Sequence, residues 1–318
     1  MSSRTPAIEV DGLRKAFGSN VVLDGLDLTV AEGTVFALLG PNGSGKTTIV
    51  DILSTLSPAD AGTVRVGGAD VATEPGAVRA AIAVTGQSTA VDNLLTGAEN
   101  LRLMADLYHL GRREGERRAA DLLERFDLVE AATTSPATYS GGMRRKLDLA
   151  MGLMGDPRIV FLDEPTTGLD PRSRRAVWDV IRGLVADGVT VLLTTQYLEE
   201  ADQLADRIGV LDGGRLVAEG SAEELKRLVP GGHLRLQFDD GDALDRAARA
   251  LGVDIGDPAA LALEIPGDGS VQALRTLLAR LDDAAVEVAE LTVHTPDLDD
   301  VFLALTGRPT PDEKVPTP

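Results

Sequence analysis

Residues 8–16 and 21–30 alternate apolar and polar side chains, the two-residue period of strands with one buried face. Val35–Leu39 breaks that alternation with an unbroken apolar run, closed by Gly40. A strand buried on both faces of a parallel sheet reads this way. From Gly45 the spacing predicts a helix to about Leu56, and residues 64–66 and 82–84 add two short strands. Residues 98–154 are mostly helical, in three pieces: 99–110, 112–126 and one beginning at Gly142. Strand, helix and strand then return at 159–163, 172–186 and 189–195, and residues 208–211 and 215–218 flank the turn Asp212-Gly213-Gly214. Such alternation specifies an α/β fold, a mainly parallel sheet with helices on its faces. The helical block, about 88–154, reads as an inserted subdomain.

Pro230-Gly231-Gly232 interrupts the pattern and sets an expected boundary between a domain at 1–230 and a second at 231–307. The second reads as a small α/β domain: strands at 234–238, 261–265 and 286–293, helices at 243–251 and 271–281. A last helix, 298–305, places Leu298, Val301, Phe302 and Leu305 on one face. Beyond Gly307 the Pro-rich end, 308–318, is expected to be disordered. The 318 residues, 43% hydrophobic, suffice for one large core and one smaller one. The net charge of −19 is uneven: residues 231–318 hold 17 acidic and 7 basic residues, about half the excess in little more than a quarter of the chain. That balance gives no general attraction to nucleic acid or anionic lipid, so membrane attachment requires a protein partner. With no cysteine, thiol catalysis and thiolate metal sites are excluded. No apolar run is long enough to span a bilayer, and Met-Ser-Ser-Arg-Thr-Pro-Ala lacks a signal-peptide core, so the chain is expected to be soluble by itself.

The chemistry sits in short motifs. Gly40-Pro41-Asn42-Gly43-Ser44-Gly45-Lys46-Thr47-Thr48 fits the phosphate-loop template between a strand and a helix. Loop amides and the helix N-terminus cradle phosphates, Lys46 reaches the β- and γ-phosphates, and Thr47 offers its hydroxyl to Mg²⁺. Asp163 and Glu164 end a buried strand, where ligands bind in open α/β sheets. Asp163 would hold Mg²⁺, directly or through water, and Glu164 would polarise the attacking water. Ser140-Gly141-Gly142 lies at a helix start about 20 residues before Asp163. Alone it is a common turn; in this order its bare amides and the Ser140 hydroxyl form a second site for a γ-phosphate. One nucleotide site does not need both sets, which points to two chains sharing ATP.

With Lys46, Gln87, Ser140–Gly142, Asp163-Glu164 and Gly168-Leu169-Asp170 in that order, the chain resembles the ATP-binding cassette (ABC) ATPases over about residues 6–229. The resemblance implies a P-loop NTPase fold, an ABC nucleotide-binding domain with a mixed-sheet core and inserted helical subdomain, here followed by the small C-terminal α/β domain. It implies ATP and Mg²⁺ as cofactors and a head-to-tail dimer in which one chain's signature turn closes on the ATP of the other. By the same resemblance Phe17 stacks on adenine, or is a core phenylalanine. Gln87 touches Mg²⁺ or water and senses a membrane subunit, or is a solvated loop glutamine. Asp170 lies at the dimer seam, or caps the helix at Pro171. The stretches T-T-Q-Y-L-E-E-A-D-Q-L-A-D-R, Y-S-G-G-M-R-R, T-G-L-D-P-R-S-R and L-D-D-V-F-L-A-L-T-G are similar to the daunorubicin/doxorubicin-resistance type of ABC exporter ATPase. That likeness implies drug or antibiotic efflux, with the chain peripheral at the cytoplasmic face of the cell membrane on a separate permease. The permease would dock around residues 90–110 and the Gln87 loop. No nucleic-acid partner is implied, and the C-terminal domain either assists dimer assembly or is a packing domain without ligand.

One position departs from the family pattern. Where a histidine usually stands beside the γ-phosphate this chain has Gln196, and His109, His233 and His294 lie elsewhere. A glutamine can donate a hydrogen bond to phosphate but cannot carry a proton. Either hydrolysis is slow, with Glu164 the main activating group, or the site binds ATP and barely turns over; the intact remainder favours the first. The competing function classes are a soluble non-transport ABC ATPase, which usually has two cassettes or a coiled-coil arm, and a regulatory ATP-binding module.

Overall fold

Two sheets carry the larger part of the molecule, and the chain enters them in the order its hydrophobic pattern sets out. The structure, a computed structural model, describes residues 6–307 except 88, 230–231, 256–257, 268–269 and 295. The expected disordered end, 308–318, and the Pro230-Gly231 break lie outside the described residues. The elements are β1 (Pro6–Phe17), β2 (Asn20–Ala31), β3 (Val35–Leu39), α1 (Lys46–Leu53), β4 (Ala61–Val66), β5 (Ala69–Asp70), α2 (Pro75–Ala81) and β6 (Ile82–Thr85). Then come α3 (Gly97–Leu107), α4 (Arg112–Arg125), α5 (Gly141–Leu153), β7 (Ile159–Asp163), α6 (Pro171–Ala186), β8 (Thr190–Thr195), α7 (Leu198–Leu204), β9 (Arg207–Asp212), β10 (Arg215–Gly220) and α8 (Ala222–Lys226). The remaining elements are β11 (His233–Gln237), α9 (Gly241–Leu251), β12 (Ala262–Pro266), α10 (Val271–Asp283), β13 (Glu290–His294) and α11 (Leu298–Thr306). Two compact units result, divided between Ala222 and Glu223.

In the first unit β2-β1-β4-β5 form an antiparallel sheet and β10-β9-β3-β8-β7-β6 a six-stranded sheet. The latter is parallel except for the β9–β10 hairpin. Every residue of β3, β7 and β8 is buried, which explains their unbroken apolar runs. Ile49, Ile52 and Leu53 of α1 join Ile8, Leu13 and Val66 of one sheet and Phe36, Phe161 and Leu192 of the other in a single core. Each such fully buried side chain contributes about 1.5–3 kcal/mol of apolar transfer. Register places Thr195 beside Leu39 and Thr194 beside Asp163, so the C-terminal ends of β3, β7 and β8 are level.

The helices between β6 and β7 are α3, α4 and α5, and α5 packs back onto β6 and α6. Helix α3 begins two residues before its expected start because Thr96 and Glu99 form a reciprocal cap. It ends before residue 110, at Leu107, with Tyr108 as its cap and His109 in a left-handed conformation at φ 55°. Helix α1 likewise stops at Leu53, short of Leu56, with Thr55 left-handed at φ 66°. The second unit is an antiparallel sheet, β12-β11-β13, whose Leu234, Leu236 and Leu263 pack with Leu244, Ala247 and Leu251 of α9 and Leu277 and Leu281 of α10. Its strand β13 is shorter than the apolar run at 286–293, for pairing with β11 starts only at Glu290. In α11, Leu298, Val301 and Phe302 are buried while Leu305 is half-buried.

Candidate active site

Three strand ends and one helix start meet around Lys46. The turn after β3 can pass so close to β9 only because residue 40 is glycine: a Cβ there would lie 2.5 Å from the Leu211 carbonyl oxygen and 2.7 Å from Ser44 Oγ. Gly45 adopts φ 109°, a conformation L-side chains rarely reach, and caps α1 with no side-chain hydrogen bond. The first-turn amides of α1 therefore keep no side-chain acceptor, as an anion-binding helix start requires. Lys46 is 5% exposed, and its Nζ donates to the carbonyls of Gly40 at 2.7 Å and Pro41 at 3.2 Å. It also faces Glu164 Oε1 at 3.5 Å. Burial lowers the lysine pKa, and the negative charges of Glu164 and Asp163 work against that shift.

Asp163 accepts from Thr47 Oγ1 at 2.9 Å through one oxygen and from Thr194 Oγ1 through the other. The Thr194 hydroxyl in turn accepts the Glu164 N–H at 3.1 Å. Glu164 is left-handed at φ 47°, an uncommon state for a non-glycine residue that costs about 1–3 kcal/mol and gathers at functional sites. Its Oε2 faces Gln87 Nε2 at 3.5 Å and Thr167 Oγ1 at 3.3 Å. One carboxylate thus stands between the loop lysine and the glutamine after β6. Gln196 follows directly on β8, whose Thr195 carbonyl accepts the Gly40 N–H at 3.3 Å, so it flanks both the loop and the Asp163-Glu164 strand end.

The chain's remaining candidates lie apart from this cluster. Phe17 closes β1 and is 56% exposed, with Lys15 Nζ 5.2 Å from its ring centroid. That exposure removes the core-phenylalanine alternative. Ser140 caps α5 by accepting the Met143 N–H at 3.2 Å; Ser140 and Gly141 are exposed, and Gly142 is buried. A Cβ on Gly142 would stand 2.8 Å from Ser173 Cβ, so this glycine is demanded by the packing of α5 on α6 as well as by any ligand. Asp170 caps α6, accepting the N–H groups of Arg172 at 3.0 Å and Ser173 at 2.9 Å and the Ser173 hydroxyl at 2.6 Å. Those bonds, the Ser173 hydroxyl first, lower its pKa.

The family model described as ABC transporter matches residues 23–167. A daunorubicin resistance ATP-binding protein from Streptomyces coeruleorubidus is 50% identical over 304 residues, 95% of this chain and 96% of the relative. The chain belongs to the ABC transporter ATP-binding proteins of the daunorubicin/doxorubicin-resistance type. It is an ATPase of that family. Among solved structures, the ATP-binding subunit of an ABC transporter aligns with TM-score 0.63 at 31% identity, over 70% of this chain and 92% of that one. A dimeric post-hydrolysis ATP-binding cassette bound to ADP and Pi aligns with TM-score 0.60 at 26% identity, over 67% and 98%. Among the described residues of this ABC ATPase, no helix is long and apolar enough to cross a membrane.

Four polar side chains of the ABC cassette escaped the sequence reading. Thr194 reads as one more strand residue, yet its hydroxyl donates to the Asp163 carboxylate and accepts the Glu164 backbone N–H. Arg145 and Asp148 fall on the buried stripe of α5, where their spacing of three residues among apolar neighbours was the available signal. Glu200 stands beside Glu199 in the sequence, and it is fully buried. Its Oε1 accepts from Thr166 Oγ1 at 2.8 Å and Trp178 Nε1 at 3.1 Å, and burial raises its pKa. Arg174, packed over the Tyr197 ring at 4.6 Å, braces the turn after Gln196.

Proposed function

We propose that two copies of this chain close head to tail on two Mg²⁺-ATP and drive a separate membrane permease that exports a drug-like compound. The observation that carries the reading is the convergence of Lys46, Thr47, Asp163, Glu164 and Gln87 at level strand ends, against a signature turn whose hydrogen bonds, among the described residues, stay local. Phosphate fits the loop: Ser44 Oγ is buried without a hydrogen-bond partner beside the uncapped start of α1. Mg²⁺ fits the adjoining oxygens of Thr47 and Asp163, with Gln87 near, since this ion takes one or two protein ligands and completes its shell with phosphate and water. No cluster of three or more His, Cys, Asp or Glu that could hold a metal occurs among the described residues, as suits an ion brought in with its nucleotide. When bound, the ion neutralises charge building on the transferred phosphoryl group.

The chain's own groups then divide the work. Lys46 holds the terminal phosphates, and Phe17 offers its exposed face to the base, worth about 0.5–1.5 kcal/mol. Glu164 orients and polarises the attacking water, with Gln87 reporting from the permease side. Gln196 donates a hydrogen bond to the γ-phosphate but takes no proton, so proton removal falls to Glu164. Ser140, Gly141 and Gly142 close on the partner's ATP, with Asp170 at the seam. ATP favours the closed pair because its phosphates touch both chains, and hydrolysis removes that preference. The efflux assignment follows the named resistance relative, and the accessory unit after Ala222 supports the dimer.

Steady-state ATPase assays of wild type and Glu164→Gln test this. The variant is expected to lose about 10²–10⁴-fold in rate, the range of general-base catalysis. It should retain ATP and run as a dimer in sedimentation only when ATP is present. Equal, negligible rates in both proteins would falsify catalysis.

A further inference from the structure

Arg145 lies three residues beyond Gly142 on α5 and is only 4% exposed. A guanidinium that deeply buried is costly unless its donors are matched. Its Nη1 donates to the Gly86 carbonyl at 2.7 Å and faces Asp148 Oδ2 at 3.3 Å, while Nη2 donates to the Asp163 carbonyl at 3.3 Å. Asp148, 5% exposed, uses its other oxygen to accept the Ala90 N–H at 2.9 Å. Gly86 and Ala90 flank Gln87. One buried pair therefore fixes both flanks of the Gln87 loop and the backbone of the Asp163-Glu164 strand end to the helix that begins at Ser140.

We propose that Arg145, with Asp148, is a positioning residue that couples the Ser140–Gly142 turn to the Gln87 loop and the Asp163-Glu164 strand end of the same protomer. The inference rests on the two-chain reading above. In that arrangement the turn engages one ATP and the strand end serves the other. The five residue steps from Ser140 to Arg145 span roughly 7.5 Å of helix axis, a short stiff link between the two sites. A shift of α5 when its start meets phosphate carries the guanidinium along, and the Gly86 and Asp163 carbonyls move with it. Lysine cannot replace it, because one ammonium lacks the planar fork that reaches two carbonyls at once.

Two variants of the full chain test the coupling. Arg145→Lys keeps the charge and loses the fork; Arg145→Gln with Asp148→Asn removes both charges and leaves no unpaired buried ion. ATP affinity, measured on the Glu164→Gln background, is expected to change by less than about twofold. The hydrolysis rate per folded molecule should fall about tenfold, as misplaced catalytic groups produce. The Hill coefficient for ATP, expected above 1 in wild type, should drop to about 1 as the link between sites is lost. Wild-type rate and cooperativity in a variant that folds overturn the proposal. So does a rate loss matched by the loss of folded protein, or failure of both variants to fold, since Arg145 is then only a folding residue. If Glu164→Gln stays monomeric at saturating ATP, the two-chain reading fails whatever these variants do. If it dimerises while they keep wild-type cooperativity, only the coupling fails.

Discussion

Helices α1 and α5 both start on glycine-bearing turns, and they are built for opposite surroundings. The start of α1 has no side-chain cap and sits among buried groups, with Lys46 5%, Asp163 4% and Glu164 9% exposed. The start of α5 has Ser140 as its cap and leaves Ser140 and Gly141 exposed. Two carboxylates beside the first helix start repel phosphate, a charge that Lys46, 3.5 Å from Glu164, offsets in part. In the proposed two-chain arrangement the second start meets a phosphate already carrying its cation. In that proposed arrangement the first helix start is completed by its own strands and the second by a second molecule.

The largest blow to the comparison is removal of Lys46. Lys46→Ala should weaken ATP binding about 10–150-fold, the worth of a charged hydrogen bond, by calorimetric titration; an unchanged affinity would show that the α1 start is not the phosphate site. Next comes the exposed device, where the two glycines should separate. Gly142→Ala forces a Cβ against Ser173 and should cost about 1–3 kcal/mol in urea unfolding, with recovery on adding Ser173→Gly. Gly141→Ala meets only the flexible end of Leu169 at 3.2 Å and should leave stability nearly intact while lowering the ATPase rate. If both glycines behave alike, packing and ligand roles are not divided as argued.

A smaller effect belongs to Gln196. Gln196→Ala should lower the ATPase rate about 2–10-fold, a neutral hydrogen bond's worth, with ATP affinity little altered; an unchanged rate sinks its role. The smallest concerns the shell behind the strand ends. Burial raises the pKa of Glu200 in the folded state above its usual value. The folded protein then binds the extra proton, so this residue's contribution is full below the ordinary glutamate pKa and is lost as pH rises through the raised one. Glu200→Gln should therefore flatten the fall of melting temperature with rising pH. A parallel pH profile in variant and wild type would show that Glu200 does not titrate in this way.

Legibility followed the range of the interaction. Val35–Leu39, Ile159–Asp163 and the glycine-lysine loop are encoded by neighbours in sequence, and they were readable from period and spacing. The short elements β5, α2 and α7 were not, because two to seven residues hold too little periodicity to signal themselves. Thr194, Arg145 and Glu200 escaped for another reason. Their partners lie 18 to 59 residues away in the bonds that matter, and only folding reveals that a Glu-Glu pair turns one carboxyl outward and buries the other. The Gln196 substitution was visible at once, since a motif announces its own exceptions.

Trp178 is the only tryptophan in the sequence, 4% exposed, with its indole N–H held by Glu200. It lies on α6, the helix that carries Ser173 against Gly142 and Asp170 at its start. The molecule thus owns a single tryptophan beside three tyrosines, set in the seam between the signature helix and the turn after β8. Excited selectively over the tyrosines, its emission can be followed during nucleotide addition in the unlabelled chain, and a change in that tryptophan signal reports on this one seam.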